Sequence, residues 1–238
     1  MRVDGRNNLQ LRPVQIRRNF SKNAHGSALV EFGDTHVLCT AMVEDRVPPW
    51  LYKSGKGWVS AEYAMLPGST PQRKSRDRGG NLDGRVVEIQ RLIGRSLRGV
   101  INMEVFGERT IWVDCDVLQA DGGTRTAAIT GAYVALCDAV EWLRKGKNIQ
   151  AQPITGQVAA VSVGMCHGEV TVDLCYSEDV AAEVDMNVAM LATGQLIEVQ
   201  GTGEHRTFSR KELDDMLVSS EQAIRELFVL QNRALGRA

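Results

Sequence analysis

The stretch Asp114-Cys115-Asp116-Val117-Leu118-Gln119-Ala120-Asp121-Gly122-Gly123-Thr124-Arg125-Thr126 decides how the chain folds. Residues 110–118 alternate apolar and polar, as a half-buried strand does, and Asp121-Gly122-Gly123 stops the alternation. From Thr124 to Lys145 the sequence is rich in alanine and sets Ala128, Ala132, Ala135, Leu136 and Ala139 on one narrow face, which predicts a closely packed helix. A strand, two glycines and a helix whose first turn carries a hydroxyl and a guanidinium make a plan for an anion site. The first N–H groups of a helix lack intrahelical partners and its N-terminus is partly positive, so a phosphate can rest there with Thr124 and Arg125 as added donors. An ordinary glycine turn capped by Thr124 has the same pattern. The lysine of a G-x-x-x-x-G-K-[ST] loop is missing, which argues against nucleoside triphosphate hydrolysis.

Upstream, Ser27 to Val43 reads as a hairpin with Gly33-Asp34 at its turn. Residues 46–80 hold four of the six prolines, several glycines and the basic cluster Arg73-Lys74-Ser75-Arg76-Asp77-Arg78, and predict a long functional loop. From Gly84 to Val100 the residues Val86, Ile89, Leu92, Ile93, Leu97 and Val100 recur at helical spacing, with Arg85, Arg91, Arg95 and Arg98 between them, so a helix with a basic outer face is expected. Downstream, two more hairpins are expected. One joins residues 158–164 to 170–176 through His167-Gly168, and the other joins 184–191 to 195–200 through Thr193-Gly194. Ser209 and Glu212 form a capping box for a last helix reaching Leu235. Strands, helices, strands, helix is the order of an α+β chain in two similar halves of mixed β-sheet with packed helices, divided as residues 1–150 and 151–238.

The net charge of -1 averages over segments of opposite sign. Residues 1–22 and 71–98 each carry a basic excess of five, whereas Lys and Arg are absent between Lys147 and Arg206, an interval with eight Asp or Glu. Arginine outnumbers lysine 21 to 7, and its planar fork suits bidentate phosphate recognition. The five cysteines lie at least nine positions apart in apolar surroundings, a spacing that fits no zinc site and reads as buried thiols. Neither an apolar run of membrane-spanning length nor a secretory pattern is present in the sequence, so the cytoplasm is the expected location.

Arg85 follows Asp83-Gly84 in the first turn of its helix, where it would either clamp a phosphate with Arg125 or face solvent. Asp179 and Asp185 are six positions apart, about 20 Å along a straight strand, and converge only if the chain bends between them, which the expected strand ends place at Val180 to Glu183. Two close carboxylates would share Mg²⁺, or one would stay protonated as a general acid; carboxylates solvating a loop are the plainer alternative. Asp114 and Asp116 share a strand face and either orient neighbouring arginines or meet solvent. None of the four histidines is given a catalytic role.

These segments, together with Arg2…Gly5-Arg6, Val30-Glu31-Phe32-Gly33-Asp34-Thr35, Glu88-Ile89-Gln90-Arg91-Leu92-Ile93 and Asp185-Met186-Asn187-Val188, make the chain resemble the ribonuclease PH family from its first residues to its last helix. The resemblance implies the ribonuclease PH fold and phosphorolytic 3′-5′ trimming of tRNA precursors, in which inorganic phosphate releases nucleoside diphosphates. It further implies phosphate binding by Arg85, Gly123, Thr124 and Arg125, and catalysis at Asp179 and Asp185. In that scheme Asp185 donates a proton to the leaving 3′ oxygen or holds Mg²⁺ with Asp179. A loop carrying Arg73, Arg76 and Arg78 would touch the RNA backbone, in a homohexamer built as a trimer of dimers. RNA, and neither DNA nor a membrane, is the implied partner. Two other readings remain: a non-catalytic RNA-binding ring subunit, which would have lost the arginines or the carboxylates, and a metal-dependent hydrolase, which would not need a phosphate clamp.

Overall fold

The structure is a computed structural model and describes residues 2–76, 83–147 and 149–237. The first half builds a five-stranded sheet from β1 (Val14–Arg18), β2 (Gly26–Phe32), β3 (Thr35–Glu44), β4 (Trp58–Met65) and β5 (Thr110–Gln119), in the order β1-β2-β3-β5-β4. β1, β2, β3 and β5 pair antiparallel, whereas β4 runs parallel to β5. A parallel pair needs a crossover, and the helix α1 (Gly84–Arg98) provides it while packing on β4. The second half is an antiparallel sheet of β6 (Val158–Cys166), β7 (Glu169–Val172), β8 (Val184–Leu191) and β9 (Leu196–Gly203), ordered β7-β6-β8-β9.

Helix α2 (Thr124–Lys147) lies between the halves, against β2 and β3 on one side and β6 on the other. Its apolar surface is therefore wider than the narrow alanine face in the sequence: from Thr126 to Val140 every residue is buried. Full burial of Ile129, Leu136 and Leu143 contributes about 2 kcal/mol each to holding the layers together. The last helix, α4 (Arg210–Leu235), packs on β6, β7 and β1, so it ties both halves. Ser209 accepts from the Glu212 N–H at 3.2 Å, Glu212 accepts from the Ser209 N–H at 2.6 Å, and Gly236 closes the helix with φ 68°.

Four expectations are corrected. Residues 46–80 are not one loop, because β4 lies inside them; its Val59, Ala61 and Tyr63 face the core, but Ser, Ala and Glu dilute the strand signal between Gly- and Pro-rich flanks. The strand expected over 170–176 ends at Val172. Asp173 takes φ 55°, and its carboxylate accepts from Arg12 at 2.7 and 3.1 Å and from the Arg12 backbone N–H at 2.7 Å, which turns the chain out of the sheet. The bend expected at 180–183 is partly helical: a short helix, α3 (Tyr176–Ala181), takes in Val180 and Ala181, the chain turns at 182–183, and Asp179 stands on that helix. Arg98 also departs from the basic outer face of α1: it lies 4.6 Å over the Trp58 ring and donates to the Val59 carbonyl at 3.0 Å. Among the described residues no helix is long and apolar enough to cross a membrane.

Candidate active site

The site lies where the C-terminal end of β5 meets the start of α2 and, from the other half, α3 and β8. Gly122 makes that meeting sterically feasible. It has φ 74°, and a Cβ there would stand 2.6 Å from the Leu174 carbonyl and 2.9 Å from the Tyr176 nitrogen, so only glycine lets the turn touch the start of α3. Asp121 closes the contact by accepting from the Tyr176 N–H at 3.1 Å. Gly123 follows with φ 63°, and a Cβ on it would meet Arg12 Nη2 at 3.1 Å. Arg12, itself buried, donates to the Asp121 carbonyl at 2.5 Å, and Thr35 Oγ1 donates to the Gly122 carbonyl at 2.7 Å, so the turn is braced from below.

The first backbone bond of α2 runs from the Ala127 N–H to the Gly123 carbonyl at 3.0 Å, which leaves the N–H groups of Thr124, Arg125 and Thr126 as the helix's unpaired opening donors. Tyr63, a buried residue of β4, donates its hydroxyl to Thr124 Oγ1 at 2.8 Å. Arg125 donates Nη1 to Gln200 Oε1 at 2.6 Å. Arg85 begins α1, where Asp83 caps the helix by accepting from the Arg85 N–H at 3.1 Å.

Asp179 and Asp185 converge at this place. Burial pushes the Asp185 carboxyl up to about 6, the negative charge of Asp179 adds to the rise, and Arg125 and Arg85 oppose it. Burial likewise raises Asp179, with Arg85 and Arg125 again pulling the other way. Glu204, just beyond β9, pushes both carboxyls upward. Each acid thus lies within electrostatic reach of both arginines. Asp185 Oδ1 is buried without a hydrogen-bond partner, an acceptor aimed at something other than the protein. Two hard carboxylate oxygens, one of them unpartnered, suit Mg²⁺, which binds through one or two carboxylates and keeps several waters.

Residues 10–140 match the model of domain 1 of the 3′ exoribonuclease family, and residues 156–223 match that of domain 2. This chain belongs to the 3′ exoribonuclease family. Its curated relatives include the ribonuclease PH of Geobacillus sp. (strain WCH70), 52% identical over 99% of this chain and 93% of the relative. The ribonuclease PH of Bacillus cereus (strain B4264) is 53% identical over 99% and 97%. In solved structures the fold recurs in rice (Oryza sativa) Rrp46, with TM-score 0.78 at 22% identity over 97% of this chain and 98% of that one. It recurs also in the Archaeoglobus fulgidus exosome with RNA bound to the active site, with TM-score 0.80 at 22% identity over 95% and 91%. As a member of the 3′ exoribonuclease family, this protein is a phosphate-dependent, RNA-binding exoribonuclease of the nucleotidyltransferase class.

Of the residues singled out in the sequence of this exoribonuclease, Arg85, Gly123, Thr124, Arg125, Asp179 and Asp185 come together. Arg73 and Arg76 are exposed on the segment between β4 and α1, and Arg78 lies outside the described residues. Asp114 and Asp116 flank Cys115 on the sheet face turned away from α2, where burial raises both and Glu62 raises Asp114 further. Sequence reading missed Tyr63, Gln200, Arg12 and Glu204. Tyr63 was hidden in a strand read as loop. Gln200 carries no signal beyond strand alternation, because its partners lie 75 and 112 positions away.

Proposed function

We propose that this 3′ exoribonuclease trims the 3′ ends of tRNA precursors in the cytoplasm as a homohexamer built from three dimers, with Mg²⁺ at its carboxylate pair. The observation that carries the reading is the convergence of Arg85 and Arg125, from two helix starts, with the carboxyls of Asp179 and Asp185. Inorganic phosphate is held between the two guanidinium groups, the Thr124 hydroxyl and the backbone N–H groups from Gly123 to Arg125, the last two of them opening donors of α2. So held, a phosphate oxygen faces the last phosphodiester of the RNA. It forms a bond to that phosphorus while the bond to the preceding 3′ oxygen breaks, and the products are a nucleoside diphosphate and an RNA one nucleotide shorter.

The leaving 3′ oxygen needs its charge neutralised. While no metal is bound, Asp185, protonated up to about 6 and next to the reacting groups, is the acid that gives it a proton. Asp179 and Asp185 would hold Mg²⁺, which when bound would neutralise charge on the leaving oxygen and displace that proton. The arginines act by position and charge, because phosphoryl transfer leaves a protein little covalent work. Arg73 and Arg76 contact RNA phosphates, with Arg78 expected to join them; such contacts place a structured RNA without reading its sequence.

The test is a tRNA bearing extra 3′ nucleotides, incubated with and without phosphate and with and without a chelator. Phosphate-dependent release of nucleoside diphosphates that stops near the mature end, and is slowed by chelation, supports the reading. Equal degradation of an unstructured RNA of the same length removes the tRNA assignment.

A further inference from the structure

The two arginines that clamp phosphate come from different helices, and something must hold those helices in register. Strand β9 does so with alternate residues. Glu198 accepts from Arg95 of α1 at 2.7 Å, and two positions on, on the same face of the strand, Gln200 Nε2 donates to Glu88 Oε1 of α1. Glu88 and Arg95 are seven residues apart, two helical turns or about 10 Å, so they lie on one face of α1 above β9. Gln200 has a second contact that Glu198 lacks: its Oε1 accepts from Arg125 Nη1 of α2 at 2.6 Å.

The orientation of the amide is dictated by its neighbours. Arginine only donates and a carboxylate only accepts, so oxygen must face Arg125 and nitrogen must face Glu88. A flipped amide would lose both bonds, which makes Gln200 a rigid tie between α2 and α1. Glu88 is one turn along α1 from Arg85, so the tie joins the Arg125 guanidinium to the helix that carries the other half of the clamp. Its neutrality matters as well. A carboxylate in this place would hold Arg125 more tightly and cancel the charge that attracts phosphate, whereas an amide orients the guanidinium and leaves its charge for the anion.

From this geometry we infer that Gln200 is a positioning residue for inorganic phosphate, setting the affinity of the clamp by fixing Arg125 relative to Arg85. The inference rests on the phosphate site proposed above. The expected mark is a change in the KM for phosphate that leaves kcat and the KM for RNA nearly unmoved, because Gln200 acts through Arg125 and does not touch the reacting atoms.

The experiment measures phosphorolysis of a 3′-extended RNA against phosphate concentration for the full-length protein and for Q200A, Q200E, E88Q and R125A, with thermal unfolding of each. In Q200A the phosphate KM rises roughly tenfold, the loss of one hydrogen bond to a charged group, while kcat and the RNA KM stay within about twofold. Q200E raises it further, since the new carboxylate meets Glu88 and neutralises Arg125. E88Q, on an exposed position, removes only the charged end of the tie and raises the phosphate KM by a smaller factor; it also carries the test should either Gln200 variant fold poorly. R125A separates the two claims. If R125A weakens phosphate binding but Q200A and E88Q do not, the role of Gln200 is overturned and the phosphate site stands. If R125A leaves the phosphate KM unchanged, the phosphate site itself falls. A rise in RNA KM or a fall in kcat with phosphate KM unmoved would mark Gln200 as merely structural and overturn the inference.

Discussion

Arg2, at the start of the chain, holds Glu178 with a two-pronged grip: Nε donates to Oε1 at 2.7 Å and Nη2 to Oε2 at 2.6 Å. Arg2 is buried and Glu178 largely so, and Glu178 is the neighbour of Asp179 on α3. The grip continues into the second half, since Arg2 also donates to the carbonyls of Val172 and Asp173 at 2.8 and 2.9 Å. The N-terminal arm thus clamps the helix that presents one of the two site carboxylates.

Arg2→Ala leaves the Glu178 carboxylate with the Cys175 N–H at 3.0 Å and a longer contact, 3.8 Å, to Arg6, and without its two-pronged counter-charge. Stripping one partner from a buried pair is costly, so a loss of about 3 kcal/mol in unfolding free energy is expected, read by urea denaturation. The rate should fall as well, because α3 no longer holds Asp179 in place. Arg2→Ala with stability within about 0.5 kcal/mol of the parent would contradict this account of the arm.

The pH dependence of stability follows from Asp185. Its carboxyl titrates near 6 in the folded protein against 3.8 ordinarily, so the neutral form is favoured by folding. That contribution is complete below about 4 and is lost as the pH rises through 6. Asp185→Asn keeps the neutral shape at every pH. In phosphate-free buffer with a chelator, the variant should be more stable than the parent by about 3 kcal/mol well above pH 6, with no advantage below about pH 4, while its turnover falls steeply. A stability gain independent of pH would contradict the assignment.

Tyr63 bears on phosphate through Thr124. Because Thr124 Oγ1 accepts from the tyrosine at 2.8 Å, its own proton is free to point at the anion. Tyr63→Phe removes the donor, and the phosphate KM should rise about fivefold, equivalent to about 1 kcal/mol, in a steady-state phosphate titration. An unchanged phosphate KM would mean that the hydroxyl serves packing alone.

Gly122→Ala tests the seam between the halves. A methyl group 2.6 Å from the Leu174 carbonyl, on a residue with φ 74°, has to move α3 away from the start of α2. A destabilisation of about 2 kcal/mol or more is expected, with activity lost out of proportion to the fraction unfolded. Circular dichroism and phosphorolysis measured on the same sample check both.

The local elements of the site were legible in the sequence, and their assembly was not. Val117 to Thr126 announces a strand, a glycine turn and a helix start, because each signal is confined to a few neighbouring residues. Ser209 and Glu212 mark the last helix for the same reason. Asp179 and Asp185 were identifiable as acids needing a bend, but the device is a helix released where Arg12 captures Asp173, a contact spanning 161 positions. β4 was missed because its alternate residues Ser60, Glu62 and Ala64 are poor strand formers, and Tyr63 was missed with it. Gln200 matters through three elements that meet only in the folded chain.

The central claim is that inorganic phosphate, gripped by Arg85 and Arg125, is the nucleophile. The most direct measurement supplies radiolabelled inorganic phosphate with a 3′-extended RNA and locates the label in the released nucleotides, for the parent and for Arg125→Ala. The account predicts label in the terminal phosphate of nucleoside diphosphates, with a much higher phosphate requirement in the variant. Unlabelled nucleoside monophosphates, released whether or not phosphate is present, would contradict it.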